Sequence, residues 1–278
     1  MMNKISKDEH SLFVFIPYLY GTTFFGSQIH PERTILIPCL HDEGYAKMSL
    51  VKDMIKEVKG ICFNSFPEQE LAKTLYDEIP QNIVTGEGID LSSKNIDSVK
   101  FKEKYNLTQF ILCASRKESG KNIPLLIKYF SKYLENNNTD LKLILTGKGD
   151  IEIPQNHSKN ILSVYLSKEE LHTAYASAVF FCLPSINESF SRVIMESWLN
   201  STPILVHERC PVTKFHCLES NGGLYFDTFD EFKNCIDFFL NNDDMRKQLG
   251  LNGKTYVLEN FTWEKVINNY DSFLKSVF

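Results

Sequence analysis

The stretch Phe180-Phe181-Cys182-Leu183-Pro184-Ser185-Ile186-Asn187-Glu188-Ser189-Phe190-Ser191-Arg192-Val193-Ile194-Met195-Glu196-Ser197-Trp198-Leu199 decides how the chain is read. Ala178 to Leu183 is apolar at every position, which predicts a parallel strand covered on both faces. Pro184 stops the strand, and Ser185, Asn187 and Ser189 are turn and N-cap types. From Phe190 the apolar residues fall at 190, 193, 194, 198 and 199, a helical spacing. Two carboxylates, Glu188 and Glu196, therefore bracket a helix N-terminus.

Such an arrangement suits a sugar joined to a nucleotide through a diphosphate. Backbone N–H groups over residues 189–192 would form a partly positive cup for phosphate. Glu188, just before the helix, can accept hydrogen bonds from sugar hydroxyls. Glu196 lies about two turns on, ~10–12 Å along the axis at ~1.5 Å per residue, so the two carboxylates can hold the two ends of a donor. The plainer alternative is that two glutamates at this spacing arise by chance and one merely favours the helix dipole.

The segment Glu-x7-Glu, following a strand that ends in Leu183-Pro184-Ser185 and enclosing Phe190, resembles the retaining glycosyltransferases of family 4. The resemblance implies an α/β protein of the GT-B type, two Rossmann-like domains facing across a cleft. It runs from about residue 12 to 275 and matches only the later part of that family's N-terminal domain. The expected organisation is a partial N-terminal, acceptor-side Rossmann-like domain over 1–90 and a complete nucleotide-sugar-binding domain over 91–260. A C-terminal helix within 261–278 is expected to pack back toward the first domain.

Composition sets the bounds. The 278 residues are 43% hydrophobic and 13% aromatic, enough for a substantial core. A net charge of −5 argues against bulk nucleic-acid binding. Seven cysteines, an odd count without repeated Cys-x-x-Cys spacing, point to a reducing, cytoplasmic compartment. Cys62, Cys113 and Cys182 sit in apolar runs and read as small core residues. The apolar run Leu12–Tyr20 is too short to span a bilayer and contains Pro17. The first ten residues mix Lys4 and Lys7 with Asp8 and Glu9, unlike a signal peptide. Any membrane would be met peripherally.

Strands alternate with helices along the chain, predicting parallel α/β sheets. In the first half, strands are expected over 12–16, 34–39 and 61–63, with a loop over 17–23 and helices over 46–58 and 67–76. Residues 82–90 read as a short strand and a glycine-containing turn leading into the second domain. There, strands are expected over 109–114, 141–146, 160–165, 178–183, 202–206 and 223–226. Helices are expected over 122–134 and 168–177, and three more over 228–240, 243–258 and 262–276.

Arg116 and Lys121, four residues between them, follow the strand ending at Ala114, where open α/β sheets put ligands. In the resembling family an Arg and a Lys so placed contact the donor diphosphate, the Arg as a fork and the Lys as a point charge. Gly147, in Gly147-Lys148-Gly149, fits the family's glycine turn beside the nucleotide. Ser189, Phe190, Ser191 and Arg192 complete the implied donor site with Glu196. His41 and Glu188 are the implied catalytic residues, His41 facing the transferred sugar from across the cleft. Family members usually carry Gly where Ser189 and Ser191 stand, and a Cβ there narrows the approach of a ligand.

No metal is implied. His207, Cys210, His216 and Cys217 do not follow a structural-zinc spacing, and no Gly-x-Ser-x-Gly is present to begin a serine hydrolase. No cofactor is implied beyond the nucleotide-diphosphate sugar itself, the donor substrate. The acceptor is expected to be a saccharide or a lipid-linked acceptor. Two readings follow: a retaining glycosyltransferase, or a non-catalytic or partner-dependent nucleotide-sugar-binding scaffold. Under the second, a further copy or a partner chain would supply N-terminal strands missing beside Leu12–Ile16.

Overall fold

The computed structural model describes residues 11–91 and 97–278. The first ten residues, with the charges that are unlike a signal peptide, lie outside the described residues. The chain divides into two compact units, Met1–Gly88 with Trp263–Phe278, and Ile89–Thr262.

The first unit holds a parallel sheet in the order β1-β2-β3-β4, formed by Phe13–Phe15, Thr34–Leu36, Gly60–Phe63 and Gln81–Val84. Helices α1 (Gly21–Ser27), α2 (Ser49–Glu57) and α3 (Phe66–Leu75) connect the strands. The two central strands are buried at every residue, as continuous apolar runs require. Their side chains alternate between faces. Leu36, Ile61 and Phe63 pack on Val51, Met54 and Ile55 of α2. Ile35 and Cys62 pack on Phe273 and Val277 of the C-terminal helix, Trp263–Val277.

Three expectations for this unit need correction. The expected loop over 17–23 turns into α1 from Gly21, a helix of poor formers held by its tertiary setting. The strand from Thr34 ends at Leu36, and Pro38, which has no N–H to donate, follows it. On the C-terminal helix, whose sequence puts Phe261, Trp263, Val266, Tyr270 and Phe273 on the expected apolar side, Val266, Phe273 and Val277 are the buried residues, whereas Trp263 is half exposed and Phe261 belongs to the second unit.

The second unit is a six-stranded parallel sheet in the order β10-β9-β8-β5-β6-β7. Its strands are β5 (Phe110–Ala114), β6 (Lys142–Thr146), β7 (Ile161–Ser163), β8 (Phe180–Leu183), β9 (Ile204–His207) and β10 (Gly223–Phe226). Its helices are α4 (Ser98–Lys104), α5 (Ile123–Asn136), α6 (Lys168–Ser177), α7 (Arg192–Leu199), α8 (Pro211–Ser220), α9 (Phe229–Asn241) and α10 (Asp243–Asn260). On one face Leu112, Phe181 and Val206 meet Tyr175 of α6 and Ile194, Met195 and Trp198 of α7. On the other, Ile111, Phe180 and Leu205 meet α5 and α9 through Leu126, Phe130, Phe232 and Phe239.

Strand order reverses between β5 and β8. The chain builds outward through β6 and β7, then returns to the other side of β5 and builds through β9 and β10. The loops leaving β5 and β8 therefore diverge at their C-terminal ends and leave a crevice, the usual ligand site of an open α/β sheet. Two helices have no counterpart in the sequence reading. Asp97 caps α4 by accepting the Lys100 N–H, and Pro211 opens α8 at its first position. Among the described residues no helix is long and apolar enough to cross a membrane.

Candidate functional site

The crevice is lined by three loops: Ser115–Asn122 after β5, Gly147–Gly149 after β6, and Pro184–Ser191 after β8. Backbone bonds tie the first two together. Ser115 N–H donates to Thr146 O at 2.9 Å and Lys117 N–H to Lys148 O at 2.8 Å. Gly147 makes this approach possible. Its φ is +125°, and a Cβ there would stand 2.1 Å from Ser115 O. Asn122, left-handed at φ 56°, donates from Nδ2 to Pro184 O at 3.1 Å and joins the first loop to the third.

Across this junction Lys121 Nζ meets Glu188 Oε1 at 2.6 Å, with side chains 19% and 12% exposed. The two residues are 67 positions apart, so the pair is a product of the fold. Arg116 is not drawn into it. Its side chain is 63% exposed, and its Nη1 lies 3.3 Å from Glu118 Oε1. Glu196, half-buried in α7, accepts the Tyr175 hydroxyl proton at 3.2 Å. Burial raises its pKa above the usual carboxylate range, against the pull of Tyr175, Arg192 and Lys168.

The loop after β8 departs from expectation in two ways. The helix starts at Arg192, not Phe190, so its first turn covers 192–195 and residues 189–191 belong to the loop. Phe190 is 1% exposed, and its ring meets Phe261 at 5.0 Å and His216 at 5.5 Å. Its ring anchors the loop from within. Ser191 precedes the helix in a left-handed conformation, φ 76°, and its buried Oγ has no hydrogen-bond partner. Ser189 is half-buried and Arg192 exposed.

In the first unit His41 follows β2 in the loop from Ile37. Its Nδ1 lies 3.9 Å from Glu43 Oε1, and its side chain is 31% exposed. The four residues weighed for zinc have separate partners. His207 Nε2 lies 3.8 Å from Asp227, His216 Nδ1 lies 2.8 Å from the Tyr256 hydroxyl, Cys210 is buried at the residue before α8 and Cys217 is buried in the core. Among the described residues no group of three or more His, Cys, Asp or Glu is placed to hold a metal.

Two contributors were missed from sequence. Asn122 was read only as the first residue of the helix expected over 122–134, which begins at Ile123. Tyr175, near the end of α6, bears no spacing relation to Glu196 and is brought to it only by packing.

Comparison with known proteins agrees with this geometry. An uncharacterized glycosyltransferase of Methanocaldococcus jannaschii is 25% identical over 229 residues, 78% of this chain and 56% of that protein. The chain thus spans a little over half the length of that relative. Sucrose-phosphate synthase from Thermosynechococcus elongatus superposes with a TM-score of 0.80 at 17% identity, over 99% of this chain and 76% of the other. HepE of Anabaena, in its complex with UDP and glucose, superposes with a TM-score of 0.79 at 14% identity, over 99% of this chain and 81% of the other. The two Rossmann-like sheets are those of the GT-B fold. Residues 95–256, more than half of the chain, match the family described as Glycosyl transferases group 1, and the chain belongs to that family.

Proposed function

We propose that the chain binds a nucleotide-diphosphate sugar in its second unit and transfers the sugar to an acceptor hydroxyl with retention at the anomeric carbon. The observation that carries this reading is the Lys121–Glu188 pair at the divergence of β5 and β8. An ammonium has three donors, so Lys121 can keep Glu188 and still contact a diphosphate oxygen. Glu188 is then held where its second oxygen meets sugar hydroxyls. Arg116 and the first turn of α7 add positive potential along the diphosphate.

In the transfer the bond from the anomeric carbon to the diphosphate oxygen breaks. The acceptor oxygen bonds to the same face of that carbon, and its proton passes to the leaving diphosphate. Negative charge grows on the diphosphate as it leaves, and Lys121, Arg116 and the helix N-terminus stabilise it there. Glu196 is assigned to the ribose, and His41 to the transferred sugar or its β-phosphate. No metal and no further cofactor enters the reading. The acceptor in this reading is a saccharide or a lipid-linked acceptor.

The test is a panel of UDP-, GDP-, ADP- and CMP-sugars, scored by thermal shift and then by donor hydrolysis. A shift with one nucleotide, followed by release of its sugar, is the expected outcome. No shift with any of them sinks the assignment of the crevice.

A second reading, binding that depends on further polypeptide for transfer, is favoured by one feature of the first unit. β1 is the outer strand of its sheet among the described residues, and Leu12, Val14 and Ile16 along it are 43%, 54% and 56% exposed. Apolar side chains on an open edge invite a covering strand. Light scattering together with a transfer assay on the purified chain separates the two readings, since a monomer with multiple turnovers excludes the second.

A further inference from the structure

A carboxylate is buried beneath the loop that carries His41. Glu68, in the first turn of α3, is 1% exposed. Its two oxygens serve two different loops. Oε1 accepts the Leu40 N–H at 2.6 Å, in the loop after β2, and Oε2 accepts the Asn64 N–H at 2.5 Å, just past β3. Asn64 adds a second tie, from Nδ2 to Cys39 Sγ at 3.4 Å. Between these ties the backbone turns through Cys39 at φ 51°.

Burial of a carboxylate is costly without a return. Here desolvation pushes the Glu68 pKa up to about 8, against the backbone N–H groups of Leu40, Asn64 and Ser65, with Glu87 adding to the rise. Part of the return is local: the Ser65 hydroxyl accepts the Glu68 N–H at 3.3 Å, and the carboxylate takes the Asn64 and Ser65 N–H groups at the start of α3. Beyond that helix start the carboxylate also supplies an acceptor for the Leu40 N–H, next to His41. On the other side, Tyr18 donates its N–H to Pro38 O at 3.0 Å and its hydroxyl to Glu43 Oε1 at 2.8 Å. The Glu43 N–H closes the turn onto His41 O at 2.9 Å. The backbone on both sides of His41 is thereby fixed.

We propose that Glu68 is the positioning residue for His41, holding the loop after β2 so that the imidazole is set for the sugar; this rests on the role given to His41 above. The carboxylate touches no ligand and acts only through the Leu40 and Asn64 amides. Glu68→Gln keeps the size but turns an amide N–H toward one of those donors. Glu68→Asp, with the charge and a shorter reach, serves as the second variant should the first fail to fold.

The experiment is hydrogen exchange and histidine-ring NMR on the full chain at alkaline pH, where Glu68 is ionised. In the variant, exchange at Leu40 and Asn64 should quicken about tenfold, as expected for the loss of one buried hydrogen bond. The His41 ring signal should move, while Met54 and Ile55 of α2 keep wild-type exchange. Donor hydrolysis with UDP-glucose should show kcat lower by about tenfold to a hundredfold with KM unchanged, the signature of misplacement rather than lost binding. Unchanged exchange and an unmoved His41 signal overturn the proposal. A loosened loop with unchanged kcat overturns it too, by removing His41 from the reaction, while UDP affinity by calorimetry reports separately on the second unit. If the wild-type chain hydrolyses no sugar nucleotide, the proposed transfer fails, and the exchange and ring signals still decide whether Glu68 holds the loop.

Discussion

Lys121 Nζ and Glu188 Oε1 lie 2.6 Å apart, joining the loop after β5 to the loop after β8. Each is the other's counter-charge, so the pair sets two opposed effects on a bound diphosphate. Lys121→Ala should weaken UDP or GDP binding by about 1.5–3 kcal/mol, the range of a charged hydrogen bond. Glu188→Gln should leave bare UDP bound as well as before or better, since it removes an anion beside the phosphates. The double variant should show a coupling of about 0.5–3 kcal/mol by calorimetry. Additive losses would mean that the two side chains act independently on the ligand.

Glu188 and Glu196 should differ in what they read. Glu188 is tethered at the loop, whereas Glu196 is half-buried on the helix beside Tyr175. Glu188→Gln should therefore reduce affinity for the sugar nucleotide much more than for the bare nucleotide. Glu196→Gln should reduce both, because the ribose is common to them. Equal losses of both ligands in both variants would contradict the assignment, and competition binding with UDP and UDP-glucose measures the difference.

Some elements around these residues are legible in the sequence and others are not, for physical reasons. β8 was legible because a strand buried on both faces must be apolar throughout, and Phe180–Leu183 is. The helix expected over 168–177 is Lys168–Ser177, and a capping box of Ser167 with Glu170 starts it. The burial of the Phe190 ring was not legible, because an aromatic residue before a helix reads equally as a ligand wall or a core anchor. Its neighbours Phe261 and His216 come from distant segments. α8 was missed although Pro211 opens it, because its histidine and cysteine were weighed for metal spacing instead of for helical period. Glu68 was legible only as an acidic residue near a helix start, since its tie to Leu40 forms only when β2 and β3 are side by side.

Acid should loosen the second unit through His216. The ring is fully buried, its Nδ1 faces the Tyr256 hydroxyl, and burial lowers its pKa from 6.5 to about 3. The folded state thus refuses a proton that the unfolded state accepts between those values. Stability from this group is complete above pH 6.5 and is lost as pH falls from 6.5 toward about 3. His216→Phe removes the titration and keeps an aromatic ring against Phe190 and Phe261. Its melting temperature should fall less steeply than that of the wild type over that range. Parallel curves would show that His216 is not the group responsible.

Ser191→Gly should stabilise the chain. Ser191 holds φ 76° and ψ 73° immediately before α7, a left-handed conformation that costs a residue with a Cβ about 1–3 kcal/mol. Its Oγ is buried and has no hydrogen-bond partner, so the hydroxyl carries a desolvation cost with nothing gained. Glycine relieves both terms, and against them stand only the greater freedom of glycine in the unfolded chain and the small space the side chain leaves. The expected net gain is about 1 kcal/mol, a rise of about 2–4 °C in melting temperature for a chain of this size. If the hydroxyl instead serves a bound phosphate, the same variant would be more stable alone and yet show a smaller thermal shift with UDP. Calorimetric melting with and without UDP separates strain from binding. A variant less stable than wild type in the absence of nucleotide would show that the left-handed turn is held by contacts of the serine side chain itself.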